Sequence, residues 1–453
     1  MARFVRATLP VFFLMLAVVA VTAPRPAAAV TVERVESPGG IVAWLVRDSM
    51  VPLVSIEFSF RGGAALDPAG KTGLAGMTTS LLDEGAGDMD SQAFQRKLSD
   101  LAVSIGFSAG MDTIRGSLKT LNRTRDEAVD LLALALTKPR FDEDAVERIR
   151  QQILAGLARQ STDPKKIAGR VWWKVVFPDH PYGLPSDGTT GTIAAIAADD
   201  MRRLVAERFA RDQLIVGVVG DITPEELGPL LDRAFGGLPA KGKPFTLDEP
   251  DPQAAGQIFV VESDVPQSVV LFGHGGIKRK DPDWYAAYTM NYILGGGGFA
   301  SRLYEEVREK RGLAYSVYSY MTPLSAAGIY SGGVSTANAR VGESIEVIRE
   351  EWARMRDKGV GEEELKDAKT YLTGSFPLRF TSTNNIARML VGMQYNNLGI
   401  RHIEERNSFI EAVTLEDVRR VAKRLLKPED LTIVVVGKPD GVKPTAEAPE
   451  IGG

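Results

Sequence analysis

The feature that most constrains this chain is an internal repeat, in which a strand-like run, a Gly-Gly pair, an Asp-Pro and an amphipathic segment occur twice. The first copy, VSIEFSFRGGAALDPAGKTGLAGMTTSLL, begins at Val54, and the second, QSVVLFGHGGIKRKDPDWYAAYTMNYIL, begins at Gln267. A further pair, DQLIVGVVGDITPEEL and EDLTIVVVGKPDGV, lies near the end of each half. Two halves of about 200 residues with one plan indicate a duplicated domain. Chance similarity of common segments is the alternative.

Hydrophobic periodicity indicates the elements within each half. Alternating or continuous apolar runs such as VPLVSIEFSF and DQLIVGVVGD are typical of strands. SQAFQRKLSDLAVSIG, DEAVDLLALALTKP and DEDAVERIRQQILAGLARQ show helical spacing, with Asp or Ser near their starts and Gly or Pro near their ends. Because helices lie between strands without strict alternation, the sequence predicts an α+β fold.

A segment rich in Pro, Gly and Lys separates the two copies. This segment, GGLPAKGKPFTLDEPDPQAAG, has no apolar periodicity, as expected of a linker. We therefore predict a signal peptide at 1–29, a first domain at 30–240, a linker at 241–256, a second homologous domain at 257–440 and a flexible tail at 441–453.

Charge and residue inventory exclude several kinds of site. The formal net charge is −4 and the pI is near 5.7, so no global field recruits nucleic acid or an acidic membrane surface. The 453 residues include no cysteine and only three histidines, His180, His274 and His402. Thiol catalysis, thiolate metal sites and disulfides are therefore excluded. Metal binding by the histidines is disfavoured because none stands beside a carboxylate at ligand spacing.

The N-terminus has the layout of a secretory signal peptide. Arg3 and Arg6 precede an apolar run, and Ala27–Ala29 offers a small-residue cleavage site. The run is short for a bilayer span, although an uncleaved anchor is the alternative. We expect cleavage near Ala29, export to a compartment such as a bacterial periplasm, and no stable membrane span in the mature chain.

The segment KTGLAGMTTSLLDEG, which begins at Lys71, resembles two functional motifs incompletely. A phosphate-binding loop needs G-x-x-x-x-G-K-[ST], but Ala65 replaces the first glycine, and Asp67 and Pro68 add a negative charge and remove an N–H donor. Thr72 is better interpreted as a helix N-cap. The later run LGGGGFA follows a helical segment rather than a strand, so a hinge or a close backbone approach is favoured over a dinucleotide site.

Five ordered stretches carry a family resemblance. They are FRGGAALDPAGKTGLAGMTTSLLDEG, SAGMDTIRGSLKTL, FPDHPYGLPSDGT, QLIVGVVGDITPEEL and SRLYEEVREKRGLAYSVYSY. From about Thr31 to Lys438 the chain resembles the insulinase or pitrilysin-type zinc metallopeptidases, which include the mitochondrial processing peptidases. The resemblance implies two homologous α+β domains in a clam-shell arrangement, and a peptide as substrate.

The catalytic residues of that family are missing. Its inverted motif H-x-x-E-H supplies two zinc-binding histidines and the general-base glutamate. These positions fall on Gly76, Thr79 and Ser80, and the third ligand, a glutamate, falls at Gly156. The nearby acidic pair Asp83–Glu84 is expected to be solvated. No metal site is therefore predicted in this chain, which alone should not hydrolyse peptides.

An arginine and a tyrosine of the family do carry over. Active members have this pair seven residues apart in the C-terminal domain, and Arg308 and Tyr315 have that spacing in VREKRGLAYSV. The resemblance implies that they reach the scissile region, where a guanidinium and a phenol can bind a carbonyl or an oxyanion. A helix-capping arginine followed by a strand tyrosine is the structural alternative.

Three functions remain to be compared. In the leading hypothesis the chain is the non-catalytic subunit of an exported heterodimeric zinc endopeptidase, supplying Arg308 and Tyr315 to a zinc-bearing homologous partner; zinc is then expected only in that partner. In the second, the chain is an inactive homologue that binds peptides or acts as a scaffold, as a homodimer. An independently active peptidase with unusual ligands is disfavoured by the small number of histidines.

Overall fold

Two separate main sheets correspond to the two halves of the sequence. The computed structural model describes residues 31–451, so the predicted signal peptide lies outside the described residues. The strands of the first half are β1 (Glu33–Glu36), β2 (Val42–Arg47), β3 (Leu53–Arg61), β4 (Gly85–Ala86), β5 (Met89–Asp90), β6 (Ser104–Ala109), β7 (Thr113–Leu121) and β8 (Leu214–Gly220). Those of the second half are β9 (Ile258–Glu262), β10 (Gln267–Gly275), β11 (Ala314–Pro323), β12 (Gly328–Ala337) and β13 (Thr432–Gly437).

The helices fall into two sets, one in each half. The first half contains α1 (Leu74–Thr79), α2 (Ser91–Asp100), α3 (Arg125–Thr137), α4 (Glu143–Gln160), α5 (Pro164–Val176), α6 (Thr190–Ala195), α7 (Ala198–Arg208) and α8 (Pro224–Phe235). The second contains α9 (Trp284–Asn291), α10 (Val341–Lys358), α11 (Glu362–Gly374), α12 (Thr383–Tyr395), α13 (His402–Glu411) and α14 (Leu415–Leu425). Two π-helical turns, at Tyr292–Gly296 and Tyr304–Glu309, also belong to the second half.

The sheet topology confirms the repeat. The first sheet has the order β1-β2-β8-β3-β7-β6, and the second has β11-β12-β10-β13-β9. When the second order is reversed, β9, β13, β10, β12 and β11 occupy the places of β2, β8, β3, β7 and β6. Each sheet has one parallel pair, β2 with β8 and β9 with β13, and its remaining pairs are antiparallel. The predicted α+β class with two related halves is therefore confirmed.

Each sheet packs one face on helices of its own half. Along β3 the apolar side chains alternate, and Val54, Ile56, Phe58 and Phe60 are all buried in the first core. The second core is built in the same way around β10, with Trp352 of α10 fully buried. Burial of such a side chain contributes about 1.5–3 kcal/mol relative to leaving it exposed.

The other face of the first sheet is covered by a helix from the second half. Strand β3 also carries Ser55 and Glu57 on its polar side, yet both are buried. Helix α12 lies across them: the Ser55 hydroxyl is 2.8 Å from that of Thr383, and Arg388 is 3.4 Å from the Glu57 carboxylate. Burial raises the pKa of Glu57, an effect that Arg388 opposes.

A glycine in β8 permits this close packing. A Cβ atom added to Gly217 would lie 2.5 Å from the carbonyl oxygen of Ala387 in α12. Gln394, the penultimate residue of the helix, donates to the carbonyl of Val216 at 2.8 Å. The helix therefore rests directly on the backbone of the first sheet.

The first half covers the second sheet in return. Helix α5 begins at Pro164, with the Asp163 carboxylate accepting from the backbone N–H of Lys165 as its cap. Its buried residues, Val171 and Trp172 among them, pack in a third core with Val434 and other residues of the second sheet. Because α5 and α12 are exchanged in this way, the residues from Val32 onward form one compact unit.

The segments that flank the second half contain no helix or strand within the described residues. One of them, 236–257, joins α8 to β9, and it includes the predicted linker; the proposed domain boundaries stay predictions. In the predicted flexible tail, Thr445 bonds both to the N–H of Ile258 at 2.8 Å and, through its own N–H, to the carbonyl of Ile258 at 2.9 Å. Part of the tail is therefore attached to β9. Among residues 31–451, no helix is long and apolar enough to cross a membrane.

Candidate functional site

The helix in the place of the zinc motif, α1, is capped by a buried aspartate. The carboxylate of Asp67 accepts from the backbone N–H groups of Gly73 and Ala75 at 3.1 Å, whereas Thr72, the predicted N-cap, makes no capping bond. Burial raises the pKa of Asp67 to about 6, against the opposing effects of the Ala75 N–H and the Arg208 guanidinium 4.0 Å away. Sequence reasoning missed the capping role of Asp67, because this residue lies six positions before Gly73 and is separated from the helix by a turn.

At α1, the positions that correspond to the family's zinc ligands and general base carry no metal-binding side chain. Gly76 has no atom within 4 Å of where a Cβ would stand. The hydroxyls of Thr79 and Ser80 both donate to the carbonyl of Gly76, at 2.9 and 3.0 Å. These hydroxyls therefore bond the helix itself.

Helix α4, which corresponds to the helix with the third zinc ligand of the family, also has no metal-binding side chain at the matching position. At Gly156 of α4, the nearest atom to an added Cβ is Nη2 of Arg159 at 3.9 Å. The neighbouring acidic pair Asp83–Glu84 is half-buried, whereas the sequence predicted that it would be solvated. Burial raises the pKa of Asp83, and Arg148 donates to Glu84 at 2.7 Å. In the described part of the chain, no group of three or more His, Asp or Glu side chains could hold a metal ion. The residues present do not fit zinc.

Each of the three histidines has a structural partner, which for His402 is the hydroxyl of Tyr285, 3.1 Å from Nε2. His180 accepts from the N–H of Tyr182 at 3.2 Å. His274 is buried, with Nδ1 at 2.7 Å from the carbonyl of Gly275 and Nε2 at 3.1 Å from the indole N–H of Trp352. Because the indole can only donate, Nε2 is the acceptor and Nδ1 carries the proton.

Local backbone structure brings Arg308 to the surface beside Tyr315. The π-helical turn Tyr304–Glu309 contains Arg308, and Gly312, whose φ of +60° favours glycine, follows three residues after it. The N–H of Gly312 donates to the carbonyl of Arg308 at 2.9 Å. Strand β11 begins two residues later, and its pairing with β12 skips Tyr315, which is the extra residue of a β-bulge.

Arg308 and Tyr315 are in direct contact. The guanidinium carbon lies 4.7 Å from the ring centroid of Tyr315, 4.7 Å from that of Tyr304 and 5.6 Å from that of Phe299. These are cation–π distances. Tyr315 is 81% exposed and the Arg308 side chain 29%, so both can meet another molecule. The carboxylate of Glu309 is 3.6 Å from Nε of Arg308.

A buried glutamate fixes the turn that carries Arg308. Glu306 is 6% exposed and is paired with Lys310 at 2.9 Å, Arg311 at 2.6 Å and Arg354 at 3.4 Å. Burial raises the pKa of Glu306, but the hydrogen bonds from Arg311 and Lys310 outweigh it, and the net pKa is lowered. The charge run around Arg308 was visible in the sequence, but its inward-facing member was not identified.

The glycine run before this site serves close packing. A Cβ on Gly295 would lie 2.8 Å from the backbone nitrogen of Ser319 in β11. The π-helical turn that ends at Gly296 therefore packs directly against the strand, which favours the predicted close backbone approach over a hinge.

Comparison with known proteins assigns the chain to a family. The sequence model described as "Peptidase M16 inactive domain" matches residues 195–372, a span that includes both Arg308 and Tyr315. An uncharacterized zinc protease of Mycobacterium leprae is 30% identical over 305 residues, which cover 66% of this chain and 68% of that protein. The chain belongs to the M16 peptidase family. This is the family of the insulinase and pitrilysin-type enzymes.

Two further similar proteins cover more of the chain. The non-peptidase homolog YmxG of Helicobacter pylori is 28% identical over 391 residues, covering 85% of this chain and 89% of that protein. The crystal structure of a peptidase M16 inactive domain from Pseudomonas fluorescens superposes with a TM-score of 0.86 and 29% identity, covering 91% of this chain and 99% of that one. Together with the missing ligands on α1 and α4, these similarities identify the chain as an inactive-type M16 homologue.

Proposed function

We propose that this chain is the non-catalytic subunit of an exported heterodimeric zinc endopeptidase, and that Arg308 and Tyr315 act at the metal site of a zinc-bearing homologous partner. The contact between Arg308 and Tyr315 on an accessible surface carries the proposal. A chain that served only as a scaffold would need neither group there, whereas a substrate carbonyl needs donors of this kind.

The chemistry assigned to this chain is electrostatic. Zinc in the partner would activate water and polarise the scissile carbonyl. The guanidinium of Arg308 offers charged N–H donors and the phenol of Tyr315 a neutral O–H donor to the oxyanion that develops on that carbonyl. Neither group has to transfer a proton. The aromatic rings around Arg308 hold its guanidinium in place before substrate arrives, which limits the reorganisation needed during the reaction.

The exchanged helices support action on a separate chain. If the two halves of this chain opened like a clam shell, α5 and α12 would leave the sheets that they cover. Exposure of Val171 and Trp172 alone would cost about 1.5–3 kcal/mol each. A second chain is therefore the better candidate for the opposite wall of a substrate chamber.

The surface around Tyr315 suits an extended peptide. Strand β11 is an edge strand of the second sheet, and Tyr318 and Tyr320 on it are 44% and 46% exposed. A peptide could add to such an edge through backbone hydrogen bonds. The same observation favours the second candidate, an inactive homologue that binds peptides or acts as a scaffold, as a homodimer.

Reconstitution separates the two candidates. The chain would be purified alone and with a homologue that carries H-x-x-E-H, and hydrolysis of a mixed peptide library would be followed by mass spectrometry. We expect a stable complex, with zinc in the partner and hydrolysis only in the mixture. Stoichiometric zinc binding and hydrolysis by the isolated chain would overturn the proposal. A homodimer that binds peptides and ignores the zinc-bearing homologue would favour the second candidate.

Export is tested separately. The full-length chain would be expressed in a Gram-negative host and in parallel without residues 1–29. We expect only the full-length chain to reach the periplasm, with a mature N-terminus near Val30 by Edman sequencing. Retention of both forms in the cytoplasm would contradict export.

A further inference from the structure

A cavity far along the sequence from Arg308 and Tyr315 combines aromatic walls with arginines. It has a volume of about 280 Å³ and lies among α9, α12, α13 and the short 3₁₀ segment Phe376–Phe380. Trp284, Tyr285 and Tyr288 contribute aromatic surface. The polar lining includes Arg279, Arg379, Arg406 and His402.

The charges of this arginine cavity are not balanced. No aspartate or glutamate is among its lining residues, and across 31–451 none of its three arginines lies within ion-pair distance of a carboxylate. The chain as a whole has 54 basic and 58 acidic residues, so this local excess of positive charge is not a property of the composition.

Arg406 is the most informative member because it is buried. It is 7% exposed, and its guanidinium carbon lies 4.3 Å from the ring centroid of Phe376. Nη1 donates to the carbonyl of Leu372 and to Oδ1 of Asn407, both at 2.9 Å. All these partners are neutral, whereas buried charges in proteins are normally paired with an opposite charge.

A second arginine of the cavity, Arg279, is also held in place by its neighbours. Nη2 of Arg279 donates to the hydroxyl of Tyr285 at 3.1 Å, and its guanidinium carbon lies 4.7 Å from the ring centroid of Trp284. The same hydroxyl is 3.1 Å from Nε2 of His402. Burial, together with Arg279 and Arg406, lowers the pKa of His402 to about 4. At neutral pH the positive charge therefore comes from arginine alone.

We infer that the arginine cavity binds a small organic anion, whose carboxylate or phosphate head lies among Arg279, Arg379 and Arg406 and whose apolar body packs on the aromatic wall. Arginine recognises such heads through charge-assisted hydrogen bonds. The volume suits one small molecule or one residue, since drug-sized ligands occupy about 300–1,000 Å³. A free metabolite and the C-terminal residue of a peptide offer the same chemistry.

Paired ligands test the charge requirement. The full chain would be titrated by calorimetry with 3-phenylpropionate, its neutral amide 3-phenylpropanamide, the tripeptide Ala-Ala-Phe with a free or an amidated C-terminus, and inorganic phosphate. We expect each acid to bind at least about tenfold more tightly than its amide, because the neutral amide cannot form charge-assisted hydrogen bonds with the arginines. Equal binding of acid and amide, or no binding by any acid, would overturn the inference. Tighter binding of 3-phenylpropionate than of Ala-Ala-Phe would indicate a free metabolite as the ligand, and the reverse order would indicate a peptide C-terminus.

Substitution of the two less buried arginines, Arg279 and Arg379, tests the site without removing the buried Arg406. Arg379 is exposed and Arg279 half-buried, so Arg379→Gln and Arg279→Gln should fold, as circular dichroism would confirm. We expect each to weaken binding of 3-phenylpropionate about tenfold and the double variant further. Arg340→Gln is the control, since Arg340 is half-buried like Arg279 but is paired with Glu343 and does not line the cavity. Unchanged affinity in the folded double variant would assign the cavity no role in anion binding.

Discussion

The two halves of the chain build sheets with five corresponding strands but differ in the segment that follows the Gly-Gly pair. In the first half this segment forms the short helix α1, whose hydroxyls bond their own backbone at the carbonyl of Gly76. In the second half α9 continues into a π-helical turn, and a further π-helical turn presents Arg308 next to Tyr315. The sheet topology is therefore shared by both halves, whereas the contact between Arg308 and the exposed Tyr315 belongs to the second.

This difference shows which features the fold itself requires. A Cβ added at Gly76 would meet nothing within 4 Å, and one at Gly156 would meet only Nη2 of Arg159 at 3.9 Å, so packing does not depend on a larger residue at either position. Arg308 is surrounded by three aromatic rings, and the adjacent turn is fixed by the buried Glu306. Ordering a long, partly exposed side chain costs up to about 2 kcal/mol of entropy. Such an arrangement is expected where a ligand or a transition state uses it.

The largest expected effect concerns Arg308. In the reconstituted complex, Arg308→Ala should lower kcat about 10²–10³-fold, the range for removal of an oxyanion donor. Tyr315→Phe should have a smaller effect, since it removes a neutral donor. Steady-state kinetics would measure both, and sedimentation would verify that the complex still forms.

Matched controls make the Arg308 result specific. Arg34→Ala removes an exposed arginine paired with Glu36 on β1, and Tyr371→Phe changes an exposed tyrosine of α11. Both should retain full activity. If Arg308→Ala also retained full activity, the proposed role of Arg308 in catalysis would be wrong.

The next prediction concerns the cap of α1. Burial raises the pKa of Asp67 from its ordinary value of 3.8 to about 6, so the folded state binds a proton more tightly than the unfolded state. The stability contributed by protonated Asp67 is present below pH 3.8 and is lost as pH rises through 6. In Asp67→Asn the amide oxygen can still cap the helix without this penalty. Its unfolding free energy, relative to the parent, should therefore increase by about 2 kcal/mol between pH 4 and pH 7.

Urea denaturation of both proteins at several pH values would measure this difference. Asp90→Asn is a suitable control, because Asp90 is an exposed N-cap of α2. A constant difference between the Asp67 variant and its parent across this pH range would show that Asp67 is ionised in the folded state without cost. The first half would then contain no strained charge at its degenerate site.

Much of this architecture could be predicted from the sequence. The repeat beginning at Val54 and Gln267 gave the duplicated α+β fold, because its periods and glycines recur in order. The exchange of α5 and α12 could not be predicted. Ser55 and Glu57 alternate with apolar residues, and this pattern is typical of a strand with one solvated face. Their burial depends on a helix more than 300 residues away in sequence.

The candidate site was predicted in part. The spacing of Arg308 and Tyr315 indicated their relationship, whereas the contacts of Arg308 with Phe299 and Tyr304 depend on π-helical geometry, which 3.6-residue periodicity does not reveal. Asp67 was noted only as an obstacle to a phosphate-binding loop. Its capping role needs the backbone path between it and α1, which local propensity does not specify.

The exchanged helix gives a third prediction. Gly217→Ala would place a methyl group 2.5 Å from the carbonyl oxygen of Ala387, so α12 would have to shift away from the first sheet. We expect a loss of about 1–3 kcal/mol in unfolding free energy, typical of overpacking. Gly106→Ala in the edge strand β6 is the control, since its added methyl would meet only Ser117 Oγ at 3.5 Å. Equal stability of the two variants by urea denaturation would show that α12 does not bind the sheet tightly.

The smallest effect is expected where the family would have its first zinc ligand. Gly76→Ala adds a methyl group with no atom within 4 Å, inside a helix, and should raise the unfolding free energy by about 0.5–1 kcal/mol. Because the proposed chemistry lies at Arg308, the peptidase activity of the reconstituted complex should not change. Gly156→Ala on α4 should behave in the same way. A loss of activity in either variant, with the complex intact, would show that the degenerate helices still contact substrate or partner. The functional difference between the two halves would then be one of degree.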